Sequence, residues 1–138
     1  MDKILFKNPW VLTGMFILTS VIVAYIGPAL NIFGIKSMST TTIGVFLGAF
    51  FVGYIYSYYF KEPISKELKT RVTLMFTAYQ IIVSIIFFIL LGIADIIAVI
   101  FGIGLPLVYA IFIYFIIGFG SKVTLDSLKR AKEKAKKE

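Results

Sequence analysis

The residues best placed for chemistry form a polar stripe within a long apolar segment. They are Thr73, Thr77, Gln80 and Ser84. At about 100° per residue of α-helix, these four side chains share one face. A buried amide such as that of Gln80 is costly unless it finds hydrogen-bond partners. The stripe therefore supports two interpretations: hydrogen bonds that join neighbouring helices, or the lining of a polar site or pathway.

Other kinds of chemistry lack the side chains that they need. The sequence has no Cys and no His, which excludes thiolate nucleophiles, Cys/His metal sites and His general bases. The long apolar stretches contain no Asp or Glu, and the chain has no phosphate-binding or metalloprotease motif. We therefore predict that the protein is not an enzyme and has no catalytic, metal or cofactor site.

The composition indicates that the stripe lies inside a membrane. Hydrophobic residues make up 59% of the chain and charged residues 15%, against roughly 45–50% and about 25% in soluble domains. A membrane-spanning helix needs about 20 mostly apolar residues. Four stretches qualify, at residues 10–30, 40–60, 71–91 and 96–120. Their apolar runs lack the alternation of barrel strands. The sequence thus predicts one all-α integral membrane domain over residues 1–138.

Basic residues predict the orientation of these spans. Of the 14 Lys and Arg residues, all but Lys36 lie in the N-terminal tail, the link between spans two and three, or the C-terminal tail. Because cytoplasmic segments carry the excess of basic residues, both termini are expected in the cytoplasm. Short links predict that consecutive helices are antiparallel neighbours in an up-down bundle.

The net charge of +7 is concentrated near the C-terminus. We interpret this charge as adapted to a membrane surface rather than to nucleic acid. Residues 121–138 predict a short, basic, amphipathic helix that lies near anionic lipid headgroups. A solvated tail that only enforces orientation is the alternative.

Span two has small residues on both of its faces. Gly44 and Gly48 lie on one face, and Ala49, Gly53 and Ser57 lie on the opposite one. Small residues at this spacing allow helix backbones to approach closely in lipid. One face could therefore meet a helix of the same chain while the other meets a second copy. Alternatively, both faces pack within one bundle.

Prolines predict where helices end or bend. Pro63, followed by Ser65 and Glu67, indicates a stop and then a capped start for the third helix. Pro106 is expected to kink the fourth span near its outer third, because proline removes a backbone donor.

The segment between spans two and three carries a resemblance to a known family. Small residues in 44–53, then Phe60-Lys61, then Pro63, Ser65 and Glu67 resemble small, four-span bacterial inner-membrane proteins of unassigned function. The basic segment after Gly118-Phe119-Gly120 fits the same pattern loosely. The resemblance implies a bacterial plasma membrane and supplies no active-site residues; without it, an archaeal plasma membrane fits equally well.

Two functions compete at this point. The first is a small polytopic membrane protein that acts through helix–helix contacts, as a homodimer or as an accessory subunit of a larger membrane complex. The alternative is a small-solute or ion pathway, formed by a dimer and lined by the stripe on span three. A water-accessible cavity that reaches Gln80 would favour the second function.

Overall fold

The protein is helical along the described residues, which in the computed structural model are 3–29, 37–93 and 95–137. A 3-10 helix, Lys3–Lys7, precedes α1 (Pro9–Ala29), α2 (Ser37–Phe60), α3 (Lys66–Leu91) and α4 (Ile96–Lys137). All four α-helices are long and apolar enough to cross a membrane. The predicted all-helical class with four candidate spans is therefore confirmed. Lys36, which we predict on the outer side, falls outside the described residues.

Specific caps define both ends of α3. Ser65 is its N-cap, and the Ser65 hydroxyl accepts a hydrogen bond from the Leu68 N–H at 3.2 Å. This confirms the capped start and places it before residue 71, where we predict the span to begin. At the other end, Gly92 adopts a φ of 63°, a left-handed conformation that glycine enters without steric penalty. The N–H groups of Gly92 and Ile93 then satisfy carbonyls of the last turn.

One small-residue face of α2 packs on α1. A methyl group at Gly44 would lie 2.8 Å from the Ser20 carbonyl oxygen, and one at Gly48 would lie 2.6 Å from the Phe16 ring. Both separations are too short for a real contact, so only glycine permits this approach. Because later residues of α2 meet earlier residues of α1, the two helices run antiparallel.

The opposite face of α2 packs on α4 with equally close backbones. A methyl group at Gly53 would overlap with the carbonyl oxygen of Ile117, and one at Gly120 would overlap with that of Phe50. Ala49, on the same face, is completely buried. Over the whole contact, Thr42 lies near Tyr109 and Ser57 lies near Ser121, so these two helices run parallel.

A buried hydroxyl pair extends this contact to the link between α2 and α3. The Ser57 and Ser121 hydroxyl oxygens lie 2.6 Å apart. Ser121 also accepts a hydrogen bond from the backbone N–H of Ile64 at 3.1 Å. One side chain of α4 therefore holds the end of α2 and the α2–α3 link together. Both faces of α2 are thus covered by helices of the same chain.

The order of neighbouring helices differs partly from the prediction. The packed pairs are α1 with α2, α2 with α4, α3 with α4, and α1 with α3. Consecutive helices are neighbours in the first and third of these pairs, as predicted. Along the described residues, α2 and α3 do not pack along their length, so this part of the prediction is wrong. The glycine contacts bring α4 onto the face of α2 that α3 would otherwise cover.

The basic C-terminal segment is continuous with α4. This helix has 42 residues, which at ~1.5 Å per residue makes it about twice as long as a ~30 Å hydrocarbon core is thick. Residues 121–137 are helical, as predicted, but they continue α4 and do not form a short helix of their own. The helix continues because nothing interrupts it: residues 121–137 contain neither glycine nor proline. Residues 129–136 are all exposed.

We expect the α2–α4 contact to tolerate no added methyl group at Gly53. The Gly53→Ala variant should lower the free energy of unfolding by about 1–3 kcal/mol relative to Gly104→Ala, since backbone atoms cannot move aside as a side chain can. Gly104 is the matched control, because a methyl group there would meet nothing within 4 Å. Both variants gain the same helix propensity. Helix content followed by circular dichroism during SDS titration measures the difference, and equal stability would contradict the account.

Candidate functional site

The polar stripe of α3 is divided by the structure into two unlike halves. Thr73 and Thr77 are each 5% exposed and belong to the packed core. Their hydroxyls donate to carbonyls of their own helix, those of Lys69 at 2.9 Å and of Thr73 at 2.8 Å. Such bonds satisfy the hydroxyls locally and leave them little to offer a solute. Gln80 and Ser84, by contrast, line a cavity.

This cavity lies between the four helices in the half that is remote from the α2–α3 link. Its volume is about 610 Å³, within the range of about 300–1,000 Å³ that is typical of small-molecule sites. Every helix contributes to its wall. Most lining atoms belong to apolar side chains, and none of the described lining residues is Asp, Glu, Lys or Arg. The polar side chains in the wall are Ser20, Tyr25, Thr41, Tyr79, Gln80, Ser84 and Tyr109.

Phe76 lines the cavity on the side of the packed core, and its ring stacks on that of Phe16 behind it. Phe16 of α1 and Phe76 of α3 are fully buried, and their ring centroids lie 3.7 Å apart with almost parallel planes. Below them lies the close-packed core, in which Val52, Ile113 and Ile117 are also fully buried. The cavity therefore does not continue along Thr77 and Thr73 toward the α2–α3 link.

Gln80 has an unsatisfied side-chain oxygen. Its Oε1 atom is buried and has no hydrogen-bond partner, although buried polar atoms almost always have one. The sequence led us to expect that Gln80, if it joins helices, bonds a Thr or Ser of a neighbouring helix, and Oε1 makes no such bond. Gln80 therefore lines the cavity, while its Oε1 atom is shielded by other protein atoms and has no hydrogen bond.

Pro106 places a second acceptor beside the same cavity. Pro106 is buried, and α4 continues as a helix on both sides of it. Because proline has no N–H, the carbonyl of Gly102 loses its donor within the helix. Gly102 and Pro106 both line the cavity. A methyl group at Gly102 would overlap with the ring of Phe88, so α3 and α4 touch closely just beyond this point.

The structure also brings in residues that the sequence analysis does not single out for a site. Ser20 and Tyr109 line the cavity from α1 and α4. The Ser20 hydroxyl already donates to the Phe16 carbonyl at 2.9 Å, whereas the Tyr109 hydroxyl lies 3.5 Å from that of Thr42. The only sequence signal for Tyr109 is that it shares a helix face with Pro106.

A second, more polar cavity lies at the opposite end of the protein. Its charged side chains are already paired with one another: Lys7 Nζ lies 3.4 Å from a Glu62 oxygen, and Arg71 Nη2 lies 2.7 Å from a Glu67 oxygen. Since these charges satisfy each other and are about half-exposed or more, they do not indicate a binding site.

Comparisons with known protein families, with curated proteins and with solved structures found no match to this chain. The resemblance to four-span inner-membrane proteins therefore stays a prediction. The candidate site depends on its geometry alone.

We expect the Gln80→Leu variant to be as stable as the wild type or more stable. Removal of an unpaired buried oxygen loses no hydrogen bond and removes a desolvation cost of about 1–3 kcal/mol. Unfolding by SDS, followed by circular dichroism, measures this change. Thr77→Val serves as the control for packing one turn away. A loss of more than about 1 kcal/mol would show that Gln80 makes a stabilising hydrogen bond between helices.

Proposed function

We propose that the protein is a multi-pass membrane protein that holds a small solute in the cavity beside Gln80. The observation that supports this function best is the cavity of about 610 Å³ between the four helices, with Gln80 and Ser84 of the polar stripe in its wall. If the stripe only held helices together, side chains would fill the space beside it and its polar atoms would have hydrogen-bond partners. At Gln80, however, a cavity lies beside the stripe, and the Oε1 atom has no hydrogen-bond partner.

The geometry supports a one-sided site more than a continuous pathway. The Phe16–Phe76 stack closes the cavity on the side of the α2–α3 link, and the hydroxyls of Thr73 and Thr77 are engaged with their own helix. Solute therefore enters and leaves on one side in this conformation. Passage across the membrane would require the two rings to separate.

We infer that the four helices form an up-down membrane bundle with both termini in the cytoplasm. The charge asymmetry of the sequence supports this orientation. So does the proximity of Lys7 to Glu62 in the α2–α3 link, which brings two of the predicted cytoplasmic segments together. The cavity then lies in the outer half of the bundle. The lysine-rich end of α4 would extend into the cytoplasm, with its first turns near anionic headgroups. A bacterial or archaeal plasma membrane is the proposed location.

Action through helix–helix contacts with a second copy or a larger complex stays a prediction. The main reason for this prediction was that one small-residue face of α2 could meet another protein. In the described residues, Gly48 faces α1 and Gly53 faces α4 of the same chain. An interface with another protein would therefore have to use the exposed faces of α1, α3 or α4.

Single-cysteine labelling tests the proposed site, because the native chain has no Cys. In nanodiscs, Gln80→Cys and Ser84→Cys should react readily with a small methanethiosulfonate reagent. Thr77→Cys, on the same helix face but in the packed core, should react far more slowly. The rates are measured by mass spectrometry of the intact protein.

The control is the same reaction in SDS after unfolding, where all three variants should label equally. Two results would contradict the proposed site. One is protection of Cys at positions 80 and 84 in the folded protein. The other is equal labelling at positions 77 and 80, which would indicate a general opening of α3 rather than a defined cavity.

A further inference from the structure

We propose that one anionic phospholipid binds in a groove between α3 and α4, with its phosphate at Lys69 and Lys122 and an acyl chain along the groove. This site goes beyond the proposed function. It rests on the proposed membrane position of the helices, but it shares no residue with the cavity beside Gln80. Three features support it: the groove itself, the position of the Lys69 ammonium group, and the uncompensated charge of both lysines.

An apolar groove runs along the outer surface of the α3–α4 pair. Its volume is about 290 Å³, and the residues in its wall are Thr70, Thr73, Leu74, Ala110, Ile111, Tyr114 and Phe115. The exposed fractions of Leu74, Ile111 and Phe115 are 61%, 61% and 68%. Apolar side chains that are exposed on a membrane-spanning helix face lipid, whose chains are as apolar as leucine. The occupant that suits this groove is therefore a hydrocarbon chain.

The ammonium group of Lys69 lies at the end of the groove that is nearest the α2–α3 link. Its Nζ atom is 3.8 Å from the centroid of the Tyr114 ring, and Tyr114 belongs to the groove wall. A methyl group at Gly118 would lie 3.1 Å from the same Nζ atom. The Lys69 side chain therefore crosses from α3 onto α4, where a residue larger than glycine would displace it. An ammonium group over a ring face still has N–H donors for an anion.

Lys122 adds a second positive charge at the same end of the groove. It lies one turn after Gly118 on α4, so these two residues share a helix face. Because helical side chains lean toward the N-terminus of their helix, Lys122 leans back toward Gly118. Lys69 comes just before the predicted span of residues 71–91, and Lys122 comes just after that of residues 96–120. Both lysines are therefore expected at the level of the headgroups.

Neither lysine forms an ion pair with a carboxylate of the described residues. The ion pairs found there use other basic residues, in Lys7–Glu62 and Arg71–Glu67. The next carboxylate along α4 is that of Asp126, which is not paired with Lys122. Two positive charges at one end of a groove repel each other unless an anion lies between them. The phosphate of a lipid with no cationic headgroup provides that anion, so the site favours anionic over zwitterionic phospholipid.

Photolabelling in phosphatidylcholine nanodiscs tests this site. The two probes are phosphatidylglycerol and phosphatidylcholine with the same diazirine-bearing acyl chain, at the same mole fraction, and mass spectrometry locates the labels. Labels on Leu74, Ile111 and Phe115 are counted relative to those on Leu18, an exposed residue of α1. We expect this ratio to be about tenfold higher for phosphatidylglycerol, because each lysine near the surface favours an anionic headgroup.

Variants assign the preference to the two lysines. Lys69→Gln and Lys122→Gln should each lower it about fivefold, and Lys69→Arg should retain most of it. Lys132→Gln is the matched control, because it removes the same charge from an exposed position further along α4. It should leave the preference unchanged. Gly118→Leu keeps every charge but displaces the Lys69 ammonium group, so it should lower the preference as Lys69→Gln does.

Two results would overturn the lipid site. One is an equal labelling ratio for the two probes. The other is an equal effect of Lys132→Gln and Lys69→Gln, which would indicate a general attraction of anionic lipid to the basic protein. Suppression of the labelling by soluble glycerol phosphate would show a site for free phosphate esters and would overturn the assignment to a lipid. These results do not depend on the cavity beside Gln80, which is tested separately by cysteine labelling.

Discussion

The close backbone contact of α2 with two other helices is the constraint on which the rest of the structure depends. The hydrophobic effect does not drive helices together inside lipid, so the association of helices there depends on close packing and hydrogen bonds. Glycines at positions 48 and 53 provide that packing on opposite faces of α2. They also determine which helices are neighbours, because α4 takes the position beside α2 that α3 would otherwise occupy. The half of the protein around Gly53 is consequently the well-packed half.

The cavity lies in the other half of the protein, where the helices leave space between them. Near the α2–α3 link, the Ser57–Ser121 pair and the Phe16–Phe76 stack fill the space between helices. Toward the other end, the four helices leave a volume of about 610 Å³ between them, with Gly102 and Pro106 of α4 in its wall. The polar residues follow the same division: the hydroxyls of Ser57, Thr77 and Ser121 in the packed half have hydrogen-bond partners, whereas the Gln80 oxygen in the open half has none. The close packing and the proposed solute site therefore lie in different halves of the protein.

Sequence reasoning predicts some of these features and not others, for physical reasons. Long uncharged apolar stretches predict the four helices, and the Ser65 cap follows from local side-chain chemistry. The two faces of α2 are visible in its glycine spacing, but a spacing does not say which helix fills each face. The parallel α2–α4 pair and the continuous α4 depend on packing between distant segments. The cavity is a volume that the side chains of four helices leave unfilled. Neither this volume nor the lack of a hydrogen-bond partner for Gln80 Oε1 could therefore be predicted from one helix alone.

Gln80 is the only glutamine in the sequence, which makes one measurement especially direct. Protein labelled with ¹⁵N-glutamine and reconstituted in bilayers gives a single side-chain amide in a water-edited solid-state NMR spectrum. If Gln80 borders an open cavity, its amide protons should receive magnetisation from water within the cavity or from protons of a bound solute. An amide that receives neither, and that instead shows a hydrogen bond to a neighbouring helix, would contradict the account.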